Sequence, residues 1–440
     1  MKRLIKISII FIILVFFLTL YLYVAYYHKR DLNRAISDYN KTLDINSRDA
    51  SAYVSRGNVY YNKGDLDRAI SDYNRALEIN PRLAEAYTSR GIAYAKKGDL
   101  DKAISDFNKA LEINPRLAEA YNNRGLAYYY KGDLDRAISD YNRALEINPR
   151  FAEAYYNRGL AYIKKDNLNR AISDYNRALE INPKLAEAYT SRGIAYAKKG
   201  DLDKAISDFN RALEINPRLA KAYNNRGLAY YYKGDLDRAI SDFTKALEIN
   251  PRYAMAYYNR GLVYYHKGDL DRAISDYTKA LEINPKHAEA YLGRGAAYIN
   301  KGDLDRAISD FTKALEINPR YAEAYYNRGA AYANKGDLDR AISDYTRALE
   351  INPRDADAYY DRGLAYIKKG NLNRAISDFN RALEINPKLA EAYFNKAVVC
   401  EKVGRIKEAI EAYKDFIKYA PPQYYSYIEY AKQRIEALSK

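Results

Sequence analysis

The sequence has no tryptophan, two methionines, three histidines and one cysteine in 440 residues. A lone Cys400 excludes an intramolecular disulfide framework and any zinc site built on cysteines. His28, His266 and His287 stand in unrelated contexts and form no metal-binding pattern with it. No phosphate-cradling glycine loop, nucleophile elbow or dinucleotide-binding fingerprint occurs. No stretch outside the repeats described below is long enough for a catalytic domain. These absences point away from an enzyme and imply neither cofactor nor metal.

A one-signed charge run is also missing. The formal net charge is +15, yet a typical segment such as 118–151 is neutral. In it Arg124, Lys131, Arg136, Arg143 and Arg150 are set against Glu119, Asp133, Asp135, Asp140 and Glu146. The excess comes from Lys2, Arg3, Lys6, Lys29 and Arg30 at the N-terminus and from scattered lysines. Interspersed signs describe a solvated helix surface, and without a continuous basic stripe nothing indicates a nucleic-acid partner.

What is abundant is periodic. The 49 tyrosines are far above ordinary usage, and prolines recur at 81, 115, 149, 183, 217, 251, 285, 319, 353, 387 and 421, always 34 residues apart. The spacing divides the chain into eleven full units over 50–423, a half unit whose remainder is 28–49, and a capping helix over 424–440. Two near-identical blocks, 84–151 and 186–253, lie 102 residues apart, or three units.

Within 118–151, Tyr121, Gly125 and Tyr128 fall at i, i+4, i+7, and Ala137, Tyr141 and Ala144 do the same. This spacing predicts two amphipathic helices per unit. Lys131-Gly132-Asp133 separates them, because glycine can take the left-handed conformation that ends one helix and aspartate can cap the next. Asn148-Pro149 ends the second helix, since the residue before proline is driven out of the α region. Neither helix can bury its apolar face alone, so stability must come from stacking. Arg124 and Asp140 recur once per unit and read as a structural pair.

The 34-residue period, with Tyr121, Gly125, Tyr128, Ala137, Tyr141, Ala144 and Pro149 at these offsets, resembles the tetratricopeptide repeat (TPR) over about residues 24–440. Tyr121 stands where the family more often has tryptophan, and Arg124 where it more often has leucine. The resemblance implies an all-α, right-handed superhelical solenoid of stacked helix-turn-helix repeats. It also implies a groove lined by the first helix of each unit, in which proteins or extended peptides lie.

Residues 7–27 are 21 positions without a charge, long enough for one helix to cross a bilayer. The basic tail 1–6 precedes them, and Tyr21, Tyr23, Tyr26 and Tyr27 sit where an interfacial aromatic belt would be. A cleaved signal peptide is the rival reading, but Tyr23 is bulky where a cleavage site needs a small residue. Val24–Ala35 also aligns with Leu126–Ala137, so the apolar segment runs into the first half repeat without a linker. The expectation is a single-pass signal-anchor. The positive charges on its two sides nearly balance, and the short basic tail favours an array facing outward, into a periplasm or equivalent space.

On the first helix of each unit, the face turned from Tyr121, Gly125 and Tyr128 holds Glu119, Asn122, Leu126, Tyr129 and Tyr130. The same columns elsewhere supply Tyr156, Asn224, Tyr231, Tyr232, Tyr258, Tyr265, Tyr326, Tyr360 and Phe394. Asn123, Asn157, Asn225, Asn259, Asn327 and Asn395 form a further column. It resembles the asparagine ladder with which the repeats of O-GlcNAc transferase hold peptide backbones, since an amide both donates and accepts. The alternative for this column is that asparagine is simply common there across the family, and for the aromatic columns that they fill space between neighbouring helices. Lys96, Lys164, Lys198 and Lys368 also lie in the groove columns, without the full constellation of a carboxylate clamp. Two functions remain open: a membrane-anchored scaffold that binds proteins or peptides in its groove, and a structural spacer or assembly factor whose length matters more than its groove. The partner's identity and the oligomeric state are not encoded legibly.

Overall fold

The computed structural model describes residues 30–440. The basic tail and the expected spanning segment, 7–27, lie outside them. Among the described residues no helix is long and apolar enough to cross a membrane, and no strand occurs.

The chain divides into two compact units, 1–217 and 218–440. In the first, helix α1 covers 30–45. Five pairs follow: α2 and α3 (Ala50–Lys63, Leu66–Ile79), α4 and α5 (Ala84–Lys97, Leu100–Ile113), α6 and α7 (Ala118–Lys131, Leu134–Ile147), α8 and α9 (Ala152–Lys164, Leu168–Ile181), α10 and α11 (Ala186–Lys198, Leu202–Ile215). The second unit holds six pairs, from α12 and α13 (Ala220–Tyr232, Leu236–Ile249) to α22 and α23 (Ala390–Lys402, Ile406–Tyr419). It closes with a 3-10 turn, Pro422–Tyr424, and α24, Tyr425–Leu438. Even-numbered helices are called A and odd-numbered ones B, α24 being a terminal cap.

The turn chemistry is local. Gly132 has φ 84°, and Asp133 N–H bonds the Tyr128 carbonyl at 2.9 Å, closing α6. The Asp133 carboxylate then accepts from Arg136 N–H at 3.1 Å, opening α7. One pair departs: Asp166 occupies the glycine position with φ 55°, a conformation that L residues other than asparagine and aspartate seldom take. After the B helices other than α23, whose C-cap is Ala420, the residue before proline is an extended asparagine, and its side chain accepts from the backbone two residues on, as Asn148 does from Arg150 at 3.1 Å.

Each B helix supplies the core of its pair. Ala137, Tyr141 and Ala144 are fully buried and Leu145 nearly so. The Tyr141 ring lies so close to α6 that a Cβ on Gly125 would stand 2.9 Å from its Cε1, which is why glycine occupies that column.

Arg124 ties three helices together. Its Nε and Nη2 donate to Asp140 Oδ2 and Oδ1 at 2.8 and 2.6 Å, while Nη1 donates to Asn108 of the preceding B helix at 2.7 Å. Its guanidinium lies 5.3 Å from the Tyr121 ring centre. The same clip recurs in the second unit with threonine in place of asparagine, as in Arg294 to Asp310 and Thr278. The pairing of the arginine and aspartate columns is therefore structural. The cap α24 buries Ala431 fully, and with Tyr424 of the preceding 3-10 turn its Ile428, Ile435 and Leu438 lean on α22 and α23.

Candidate functional site

A helices of neighbouring pairs touch one another as well as their own B helices, as α4 with α6 and α6 with α8. Their remaining surface carries the columns singled out from the sequence. Their side chains fall into three classes.

Four of the asparagines are interior. Asn122, Asn157, Asn224 and Asn259 are 2–5% exposed. Asn157 Nδ2 donates to Asn122 Oδ1 at 3.0 Å, and Asn259 repeats this with Asn224 at 3.0 Å. This corrects their placement on an open groove face. A helical wheel distinguishes two faces, but an A helix has a third neighbour, the A helix of the next pair, and these amides face it. A ladder reading an extended main chain would need them free.

A second class is half-buried against the core. Tyr156, Tyr258 and Tyr326 pack on Tyr175, Tyr277 and Tyr345 with ring centres 5.8–5.9 Å apart, and Tyr360 on Phe379 at 5.9 Å. Phe394 lies 5.1 Å from Phe416. The Tyr326 hydroxyl donates to Asp361 at 2.8 Å, and Asn395 donates to the Tyr360 hydroxyl at 3.0 Å. Burial pushes the Asp361 carboxyl above its ordinary range, against the opposing pull of the Tyr326 hydroxyl. Asn225 donates to the Lys221 carbonyl at 2.7 Å, and Asn327 is half-buried.

The third class faces outward. Tyr130 and Tyr232 are 67% and 71% exposed. Tyr129, Tyr231 and Tyr265 are half-buried, each beneath a residue of the following A helix. Lys164 Nζ stands 3.9 Å from the Tyr129 ring centre, the His266 ring is 5.7 Å from that of Tyr231, and Asn300 donates to the Tyr265 hydroxyl at 3.0 Å. Lys96 repeats this geometry over Tyr61 at 4.3 Å.

Across α2, α4 and α6 these columns enclose a cleft of 530 Å³, lined among others by Tyr61, Ile92, Lys96, Asn123, Leu126 and Tyr130. Its wall is mainly apolar, with one ammonium at the rim. That is the make-up of a pocket for an apolar side chain beside a polar main chain. Asn123, unlike Asn157, keeps its place on this surface.

The sequence reading missed a second cleft, of 320 Å³, in the other unit. It is lined by Tyr360, Glu391, Phe394, Asn395, Phe416, Tyr424 and Tyr427. The signal was the tyrosine-dense run 424–430, which was read only as a cap. Among the described residues no three His, Cys, Asp or Glu side chains gather as a metal site requires.

The comparisons with known proteins agree on the repeat. Family models described as TPR repeat match residues 25–64, 57–98, 125–166 and 297–336. Models described as tetratricopeptide repeat match 224–288; 84–117, 152–185, 186–219, 322–355 and 356–389; and 107–139, 276–309 and 379–411. Among solved structures the chain is similar to MamA, at 35% identity over 37% of this chain and 96% of that one, with a TM-score of 0.35. It is also similar to a tetratricopeptide repeat protein from Parabacteroides merdae, at 26% identity over 56% of this chain and 98% of that one, TM-score 0.46. A third likeness is to the Cut9–Hcn1 structure, at 18% identity over 94% of each chain, TM-score 0.47. No curated protein matches the chain. Since the family models together span residues 25–411, the chain belongs to the tetratricopeptide-repeat family.

Proposed function

We propose that the protein is a membrane-anchored, non-catalytic scaffold whose A-helix surface binds a protein or an extended peptide. The cleft across α2, α4 and α6 carries this reading. Leu126 and Ile92 would receive an apolar side chain, Asn123 would bond the main chain beside it, and Lys96 at the rim favours a neighbouring carboxylate. Lys96 is steadied over the Tyr61 ring, so less side-chain freedom is lost on binding than for an unsupported lysine. Asn122, Asn157, Asn224 and Asn259 play no direct part, because their amides already hold neighbouring A helices together.

The anchor is the uncharged stretch 7–27, and the array faces the extracytoplasmic side. Crosslinking from a photoreactive residue at position 126 should capture a defined partner, and Leu126→Arg should abolish the capture while leaving helicity intact. Capture that survives Leu126→Arg but shrinks in proportion to the number of units deleted would instead establish the spacer role. Protease added to intact spheroplasts should digest the array; full protection would place it on the cytoplasmic face.

A further inference from the structure

The C-terminal cleft has a composition unlike that of α2–α6. Five of its lining residues are aromatic: Tyr360, Phe394, Phe416, Tyr424 and Tyr427. Tyr427 stands edge-on to Phe394 at 5.2 Å, and Tyr424 lies 6.0 Å from Tyr427. The polar members are Asn395, held by the Tyr360 hydroxyl, and Glu391. Glu391 Oε1 accepts from the Tyr424 hydroxyl at 2.5 Å, and no other side-chain partner of this carboxylate occurs among the described residues. No lysine or arginine lines the cleft. Burial above all, and then the charges of Glu391 and Asp361, push the Tyr360 hydroxyl up to about 12, against the opposing pull of Asn395. The one charged group in the lining is the Glu391 carboxylate.

Several aromatic rings around a carboxylate, with no built-in cation, match the needs of an organic ammonium. Its alkyl groups lose water against the rings, its charge meets their negative faces, and a carboxylate completes the neutralisation. We propose that this cleft, built by α20 (Ala356–Lys368), α22, α23 and α24, is a binding site for an organic ammonium group of about the size of one trimethylammonium or lysyl head. The site is separate from the α2–α6 cleft and does not depend on peptide binding there. In the other pairs the columns of Phe394 and Asn395 meet a following repeat; only after the last pair do the 3-10 turn and α24 bring Tyr424 and Tyr427 over them and turn a packing surface into a cage.

The test is saturation-transfer NMR on the full-length chain in a non-ionic detergent lacking choline. The probes are choline, its uncharged isostere 3,3-dimethylbutan-1-ol, and N-acetyl-lysine N-methylamide. Choline or the lysine amide should bind at least about fivefold more tightly than the neutral alcohol, as the cation–ring contribution requires. The tighter of the two cations identifies the source as a free amine or a peptide side chain. Glu391→Gln keeps an acceptor for Tyr424 and should weaken cation binding on the order of tenfold while leaving the alcohol unchanged. Tyr427→Ala removes a half-exposed wall rather than a core residue and should weaken cation binding too. Equal binding of choline and its isostere, no detectable binding of either cation, or indifference to both substitutions would overturn the proposal. Loss of peptide capture by the α2–α6 cleft would leave it standing.

Discussion

Tyr141 and Tyr277 fill the same B-helix column in different pairs. Both are fully buried, and neither hydroxyl has a hydrogen-bond partner in the fold. Five pairs place phenylalanine in this column: Phe107, Phe209, Phe243, Phe311 and Phe379. The array thus already contains the experiment. Replacing Tyr141 and Tyr277 by phenylalanine removes two buried hydroxyls without opening a ring-sized cavity. An unsatisfied buried donor costs about 1–3 kcal/mol, so each change should gain about 1 kcal/mol or more, and sites this far apart should add. Tyr73 is the control. Its hydroxyl donates to Asn58 at 2.7 Å, so Tyr73→Phe should lose about 0.5–1.5 kcal/mol.

A second signature is alkaline. Burial pushes the Tyr141 and Tyr277 phenols far above their ordinary range. A raised folded-state pKa means that the fold holds its proton more tightly, so stability is intact below the ordinary phenol value and falls as pH rises past about 10. The double variant should lose less stability over that range. Because long arrays need not unfold in one step, the readout is hydrogen exchange of α7 and α15 (Leu270–Ile283) across a urea series. Protection reduced by Tyr141→Phe as much as by Tyr73→Phe would refute the reasoning.

Three further outcomes are expected. Arg124→Met leaves Asp140 buried and unpaired and should cost about 3–5 kcal/mol, read as lost exchange protection in α5, α6 and α7 together. Asp166→Gly relieves a left-handed aspartate and should gain up to about 1 kcal/mol; an unchanged or lower urea midpoint for the α8–α9 pair would contradict this. Asp361→Asn retains an acceptor for Tyr326 while removing a carboxylate that burial opposes. Wild-type stability should fall as pH rises from the ordinary carboxyl value through the raised one and stay low above it, so the variant should be the more stable at neutral pH and lose its advantage as the solution is acidified.

The repeat itself was open to reading because its signals are covalent and local. Asn148-Pro149 cannot continue a helix, Gly132 can turn left-handed, and the Tyr141 column repeats at helical spacing, so each sets its feature before any tertiary contact forms. The surface was harder to read. Asn122 and Asn123 are adjacent and chemically identical, yet Asn122 is interior and Asn123 borders the cleft. What separates them is where the next A helix lies, a tertiary quantity that one helix's periodicity does not contain. The C-terminal cleft was missed for a related reason. Glu391, Phe394 and Tyr427 come from two helices whose approach depends on how α24 packs, while the sequence shows only a terminal amphipathic helix.

The same geometry bears on how such an array can change. Its polar links fall at fixed separations. Arginine meets aspartate 16 residues ahead and asparagine or threonine 16 behind. Lysine meets the aspartate 30 residues earlier, as Lys97 does Asp67 at 2.5 Å. The A-helix contacts, such as Asn157 to Asn122 and Tyr326 to Asp361, span 35. The arginine–aspartate spacing lies within one unit, and each of the other distances presupposes a 34-residue period. An inserted or deleted residue would break links on both sides of itself, whereas a whole unit added or removed restores them all. The near-identical blocks 84–151 and 186–253, three units apart, are the trace that such a rule would leave. Length can therefore vary at little energetic cost within the array, whereas the last pair and α24 cannot be duplicated without burying the face that makes the C-terminal cleft. Selection on length and selection on that cleft act on different parts of the chain, so whole units could be gained or lost while one terminal site is kept.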